Sequence, residues 1–244
     1  MKRGLFLASL GLTGCGYHLG NKLTETTWIH NALGVMQPLD HRIIGTRGMA
    51  KLYTEAAIDR DFRTNGFNPP TTPEYARWAT DDFRGYRLIV NGMVDRPQAY
   101  TLAELRAIPQ ITQITRHDCV EGWSAIGKWS GPRLADVLAM AMPQHGARYA
   151  VFHCMDTTDD MSLYYESLDL HEAAHPQTVL ALKLNDAQLD PAHGAPVRLR
   201  VPTQLGYKSA KWVRRIELVA SFSAIGDGKG GYWEDNGYEW YAGI

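Results

Sequence analysis

The chain has little cysteine: three residues in 244, none of them in a Cys-x-x-Cys-His motif, which excludes a covalently attached c-type haem. It has almost no charge excess. A formal net charge of -1 gives no general attraction to nucleic acid or anionic lipid. The apolar run at its start, Leu5 to Leu12, is too short to span a bilayer as a helix. No repeat, low-complexity tract or long linker divides the chain, and 45% hydrophobic with 21% charged residues is ordinary for a soluble globular protein. One domain spanning residues 21–244, after a leader of residues 1–20, is the expectation.

Lys2 and Arg3 followed by the Leu5 to Leu12 run have the layout of a signal peptide, so export to the periplasm or beyond is expected. Leu12-Thr13-Gly14-Cys15 resembles a bacterial lipobox, in which Cys15 carries the lipid anchor after cleavage; a plain signal peptide is the alternative. Lys2-Arg3 is an imperfect twin-arginine signal and leaves the export route open.

The densest chemistry lies in Thr115-Arg116-His117-Asp118-Cys119-Val120-Glu121-Gly122-Trp123-Ser124. Ile111 to Arg116 alternate with the two-residue period of a half-buried strand, which places Cys119 in the loop where that strand ends. Cys154 ends the apolar run Tyr149-Ala150-Val151-Phe152-His153 and reads as a buried strand residue. In an oxidising compartment these two thiols have a disulfide as one reading. A thiolate ligand at Cys119, favoured by the cation of Arg116, is the other.

A rival signal is His171-Glu172-Ala173-Ala174-His175, which satisfies the His-Glu-x-x-His pattern of zinc hydrolases. Pro176 follows directly and pushes His175 out of helical geometry, and a helix from about Ser167 to His175 spans only about two turns.

The remaining pattern predicts an α+β fold with mixed sheets and short helices. Tyr86 to Val90 reads as a strand closed by an Asn91-Gly92 turn, and Thr101-Leu102-Ala103-Glu104 as a capping box. Pro132 is placed to open a helix over Arg133 to Met140. Val179 to Leu184, Val197 to Val201 and Trp212 to Val219 read as strands, and Asn65 to Pro73 as a Pro-rich loop beside the site. The tail from Gly226 carries Tyr232, Trp233, Tyr238, Trp240 and Tyr241, suited either to cover the site or to close a core edge.

Cys-Val-Glu-Gly-Trp-Ser after a basic strand end resembles the molybdenum-binding segment of the sulfite oxidase and periplasmic methionine sulfoxide reductase superfamily. The resemblance resumes at His193-Gly194-Ala195-Pro196-Val197-Arg198-Leu199-Arg200-Val201-Pro202 and at Gly206-Tyr207-Lys208-Ser209-Ala210-Lys211-Trp212, and so covers most of the chain from about Phe62 onward. It implies the sulfite-oxidase-type molybdopterin-binding fold, a molybdenum-molybdopterin cofactor and oxygen-atom transfer at a metal bound by Cys119. Glu121 and Trp123 would flank the metal, and Arg116 would attract a small oxyanion, sulfoxide or N-oxide substrate. Asn65, Cys154, His193, Arg198, Ser209, Ala210 and Lys211 would hold the pterin, with His193 where an asparagine is usual and Cys154 where a threonine is usual.

The sequence after Cys119 lacks the basic cluster of the sulfite oxidases, which leans the reading toward the reductase-like branch. The chain has no room after Val219 for an immunoglobulin-like dimerisation domain, so a monomer is expected, with electrons passing to or from a separate partner, a cytochrome or membrane haem protein. A non-catalytic exported binding protein of the same fold is the remaining alternative.

Overall fold

The computed structural model describes residues 48–159 and 161–244. The leader reading, with Lys2, Arg3 and Cys15, lies outside them. In chain order the strands are β1 (Leu88–Gly92), β2 (Gln98–Tyr100), β3 (Gln110–Asp118), β4 (Ser124–Pro132), β5 (Tyr149–Thr157) and β6 (Leu163–Asp169). They continue as β7 (Val179–Ala181), β8 (Lys183–Leu184), β9 (Ala187–Gln188), β10 (Arg198–Arg200) and β11 (Val213–Val219). The helices are short: α1 (Pro73–Thr80), α2 (Leu102–Ala107), α3 (Leu134–Ala141), α4 (Leu170–Ala173) and α5 (Tyr232–Asp235).

A five-stranded sheet runs β2-β1-β11-β5-β6, with β1 and β11 parallel and the other pairs antiparallel. Leu88, Val90, Val151, Phe152, Ile216 and Leu218 supply its fully buried positions. Removing each such side chain from water contributes about 1.5–3 kcal/mol, which makes this sheet the main support of the fold. A second sheet, β3-β4-β8-β9, and the two-stranded ladder β10-β7 pack around a smaller cluster centred on Trp129 and Phe62. The long β3–β4 hairpin carries Cys119 at its tip, and β10 with the segment after it carries the cations.

Local sequence explains the ends of the elements. Thr101 and Glu104 form the reciprocal capping box at α2, with Glu104 N–H donating to Thr101 Oγ1 at 3.1 Å and Thr101 N–H to Glu104 Oε2 at 2.7 Å. Thr72 caps α1 by accepting from Tyr75 N–H at 3.2 Å, with Pro73 in the first turn.

Several expected boundaries moved. Asn91 and Gly92 continue β1 and do not turn: Gly92 sits at φ +84°, and a Cβ there would come within 2.3 Å of the Leu218 carbonyl on parallel β11. Pro132 ends β4, and α3 begins two residues later. The run from Val179 to Leu184 is two strands, β7 and β8, which pair with different partners.

The expected helix from Ser167 shrinks to the four residues of α4, because Ser167 belongs to β6, where its backbone pairs with Val151. The helix ends before His175. His171 is exposed, while His175 is buried and accepts the Gln177 N–H at Nδ1; Glu172 is buried and accepts from Gln204 at 3.1 Å. The three side chains serve the fold separately, and no cluster of three metal-ligating side chains forms among the described residues.

Candidate functional site

The hairpin tip turns on Gly122 at φ +87°, with Gly122 N–H donating to the Cys119 carbonyl at 3.0 Å and Cys119 N–H to the Trp123 carbonyl at 2.9 Å. This turn tucks Cys119 inward, 8% exposed, against a cleft of about 110 Å³. Burial pushes the Cys119 thiol up, while the backbone N–H of Glu121 and the cations Arg63 and Arg198 act in the opposite direction and the Glu121 carboxylate adds to the rise. Metal coordination would deprotonate such a thiol outright.

Arg116, expected to act on this thiol, is bound to Asp118 at 2.8 Å and stands half-exposed away from the cleft. Its place is taken by Arg63, which lies 5.0 Å over the Trp123 ring and 4.0 Å from Glu121. Trp123 Nε1 donates to Glu121 Oε2 at 2.9 Å, so the tryptophan steadies the carboxylate and does not itself line the cleft. Cys119 and Cys154 are both free thiols, which removes the disulfide reading.

Arg198, Arg200 and Lys211 are all buried, and Lys211 lines the same cleft as the thiol. Arg198 donates to Asn65 Oδ1 at 2.9 Å and the His193 carbonyl at 3.3 Å. Arg200 donates to Thr115 Oγ1 at 3.2 Å, the Arg116 carbonyl at 2.6 Å and Ser209 Oγ at 3.5 Å. Lys211 Nζ donates to the carbonyls of Phe67 at 2.9 Å and Ala192 at 3.3 Å. Every one of these acceptors is a neutral oxygen.

Burial lowers the proton affinity of all three, helped at two of them by repulsion from Arg198: Lys211 falls to about 7 and Arg200 to about 9. Arg198 falls to about 10 through burial, partly offset by Cys119. Buried cations without an anion cost several kcal/mol each, so the cluster is built for an anion the chain itself does not supply.

Of the other expected contacts, Asn65, Ser209, Ala210 and Lys211 line the cleft. His193 does not: Nδ1 faces Asp190 at 2.8 Å and Nε2 the Phe62 carbonyl at 2.8 Å, so its ring is spent on holding the loop that carries Asn65. Cys154 sits in the hydrophobic core, away from the cleft lining.

Sequence reasoning missed Asp156, which lines the cleft 2% exposed, with Oδ1 unpartnered and its pKa raised by burial to about 7. It lies two residues beyond Cys154 on β5, and strand alternation alone gave it no distinction. His117 was also missed as a site candidate, as was Lys208, which is buried between Glu166 and Glu234. The far wall is aromatic. Phe67 and Trp233 stack at 5.7 Å with planes 4° apart, and Tyr207 and Tyr238 complete it. The tail thus does both things expected of it, since Trp233 and Tyr238 line the cleft while Tyr232 packs into the core.

The orphaned polar atoms decide what fits here. Nε of Arg198 and of Arg200, both ring nitrogens of His117 and Oδ1 of Asp156 are buried without partners, as a large anionic group rich in nitrogen and oxygen would require. The family model of the oxidoreductase molybdopterin-binding domain matches residues 75–224. The chain belongs to this family.

A putative protein-methionine-sulfoxide reductase subunit, YedZ1, of Azospira oryzae is 36% identical over 251 residues, covering 99% of this chain and 87% of the relative. The crystal structure of the sulfane dehydrogenase SoxCD from Paracoccus pantotrophus superposes with a TM-score of 0.51 at 24% identity, over 57% of this chain and 39% of that one. The fold is therefore the expected α+β molybdopterin-binding type, and the protein is a molybdopterin-dependent oxidoreductase. Asn65 on one side and Trp233 and Tyr238 on the other come from outside the matched segment, yet close the same cleft.

Proposed function

We propose that this oxidoreductase holds molybdenum-molybdopterin in the cleft with Cys119 as the protein ligand to the metal, and reduces a neutral organic sulfoxide or N-oxide. The observation that carries the reading is the set of buried cations Arg198, Arg200 and Lys211, paired only with neutral oxygens, of which Lys211 lines the cleft together with Cys119. When bound, the cofactor supplies two-electron oxygen-atom transfer. The overall change consumes two electrons and two protons, converting the sulfoxide to a thioether and water.

The chain's own residues bind, orient and exclude water. Arg198 and Lys211 are placed to hold the phosphate of the cofactor, with Asn65 fixing the guanidinium plane. Asp156, with its pKa near 7, is poised to accept from the pterin and to hold a proton at Oδ1. Glu121, oriented by Trp123 and reached by Arg63, stands at the open side of Cys119, where it can hold the proton that the leaving oxygen needs. Phe67, Trp233 and Tyr238 offer apolar contact to the organic groups of a neutral oxide. Sulfite, a small anion, has little to meet on that wall, and Val120-Glu121-Gly122 after the cysteine adds no cation.

Electrons come from a separate haem partner at the membrane, and the protein acts as a single chain in the periplasm after export, with Cys15 as the candidate lipid site. The alternative of a zinc hydrolase has no support in the separate roles of His171, Glu172 and His175.

The deciding experiment is elemental analysis for molybdenum and zinc on protein from a molybdopterin-competent host, beside Cys119→Ala, followed by turnover with a reduced dye and sulfoxide, N-oxide or sulfite. Near-stoichiometric molybdenum, altered in the variant, with sulfoxide or N-oxide reduction, is expected. Sulfite oxidation alone reverses the direction assigned here, and absence of molybdenum removes the cofactor assignment.

A further inference from the structure

Both polar atoms of the His117 ring, two residues before Cys119, lack partners. Its ring is 0% exposed, and neither Nδ1 nor Nε2 has a hydrogen-bond partner. A neutral imidazole always carries one N–H donor and one acceptor, so the protein leaves both unused at a position where apolar residues pack well. Strand alternation puts His117 on the same side of β3 as Thr115 and two residues from Cys119, and Thr115 is the hydroxyl that receives Arg200.

The ring is held from two sides, edge-on to Phe62 at 6.0 Å and tilted to Trp123 at 5.8 Å. On the third side it meets Gly206, a residue of the cleft lining: a Cβ there would stand 2.4 Å from Nε2. Glycine at this position lets a backbone that is itself part of the cleft lining come up against the Nε2 edge.

We propose that His117 is a cofactor-binding residue whose ring N–H donates to an oxygen of the anionic cofactor's phosphate, completing the set begun by Arg198, Arg200 and Lys211. The inference rests on the molybdopterin reading above. Arg198, Arg200 and Lys211 are the charged groups acting on the ring. A donor whose acceptor arrives with the ligand explains why the ring has no partner within the chain.

The test compares wild type, His117→Leu and His117→Gln, each made both in a molybdopterin-competent host and in one unable to make the pterin. Melting temperature is measured on both forms, and release of the pterin is followed by fluorescence of its oxidised product. In the pterin-free form, His117→Leu melts at or above the wild-type temperature, since it removes a polar group with no partner. In the loaded form, His117→Leu releases pterin at least tenfold faster, and His117→Gln, which keeps an N–H donor, recovers much of the retention.

A pterin-free His117→Leu that melts below wild type or fails to fold assigns His117 a structural role and overturns the proposal. So does wild-type retention in loaded His117→Leu, or a Gln variant no better than Leu. Wild type that takes up no pterin at all overturns the functional reading itself, a result distinguishable from the others because it needs no variant.

Discussion

Asn65 Oδ1 and the Arg198 guanidinium are joined at 2.9 Å across 133 residues of chain, one from the loop before α1 and the other from β10. That single bond sets the plane in which a buried guanidinium meets its anion. Asn65→Ala leaves Arg198 without it, and a hydrogen bond to a charged group contributes about 1.5–3 kcal/mol. Cofactor release about ten- to a hundredfold faster is expected, read as molybdenum and pterin remaining after gel filtration, and the pterin-free form, which loses the same bond, should melt several degrees lower.

Asp156 makes the pterin-free protein sensitive to pH in a definite direction. Its folded pKa, raised by burial to about 7, lies above the ordinary carboxylate value, so the folded chain binds the proton more tightly than the unfolded chain. Stability from this group is therefore full below about pH 4, declines as pH rises toward 7 and is flat above it, by at most about 4 kcal/mol. Urea unfolding of wild type and Asp156→Asn between pH 4 and 8 checks this: the decline should flatten in the variant, and equal slopes would sink the assignment.

Lys208 is buried with Glu166 and Glu234, and lies 2.5 Å from the latter. Burial, then Glu234, raises the Glu166 carboxyl well above its usual range; Lys208 stays charged because the glutamates outweigh its own burial. Lys208→Met strands two acids in the interior and should destabilise by about 3–5 kcal/mol. The triple change Glu166→Gln, Lys208→Met, Glu234→Gln should cost less than Lys208→Met alone. Denaturant midpoints of the two variants decide it.

Trp233 reaches the cleft from α5 and stacks on Phe67. Trp233→Ala removes about 0.5–1.5 kcal/mol of ring pairing. With an aryl sulfoxide as substrate, KM should rise about three- to tenfold while kcat and molybdenum content hold; a fall in kcat alone would place Trp233 elsewhere in the cycle.

The sequence made the hairpin tip and the cations readable because their chemistry is local: an alternating strand ends at Cys119, and Arg198 and Lys211 sit in ordered motifs. It hid what depends on distant partners. His193 looked free until Phe62 and Asp190 closed on its two nitrogens, and Arg116 looked aimed at the thiol until Asp118 claimed it. Asp156 and His117 were invisible as site residues, since nothing in a two-residue alternation tells a satisfied buried polar group from an orphaned one. The helix read from Ser167 failed because pairing of β6 with β5 overrode a weak local preference.

The cleft wall formed by Trp233 and Tyr238 leaves the ribosome after Cys119, Asp156 and Lys211 have all emerged. Until α5 docks and Glu234 reaches Lys208, the pocket is open along one whole side. A group seated against Cys119 and Lys211 is therefore covered on that side only by residues of the tail, which the buried Glu234–Lys208 pair ties to the body of the fold.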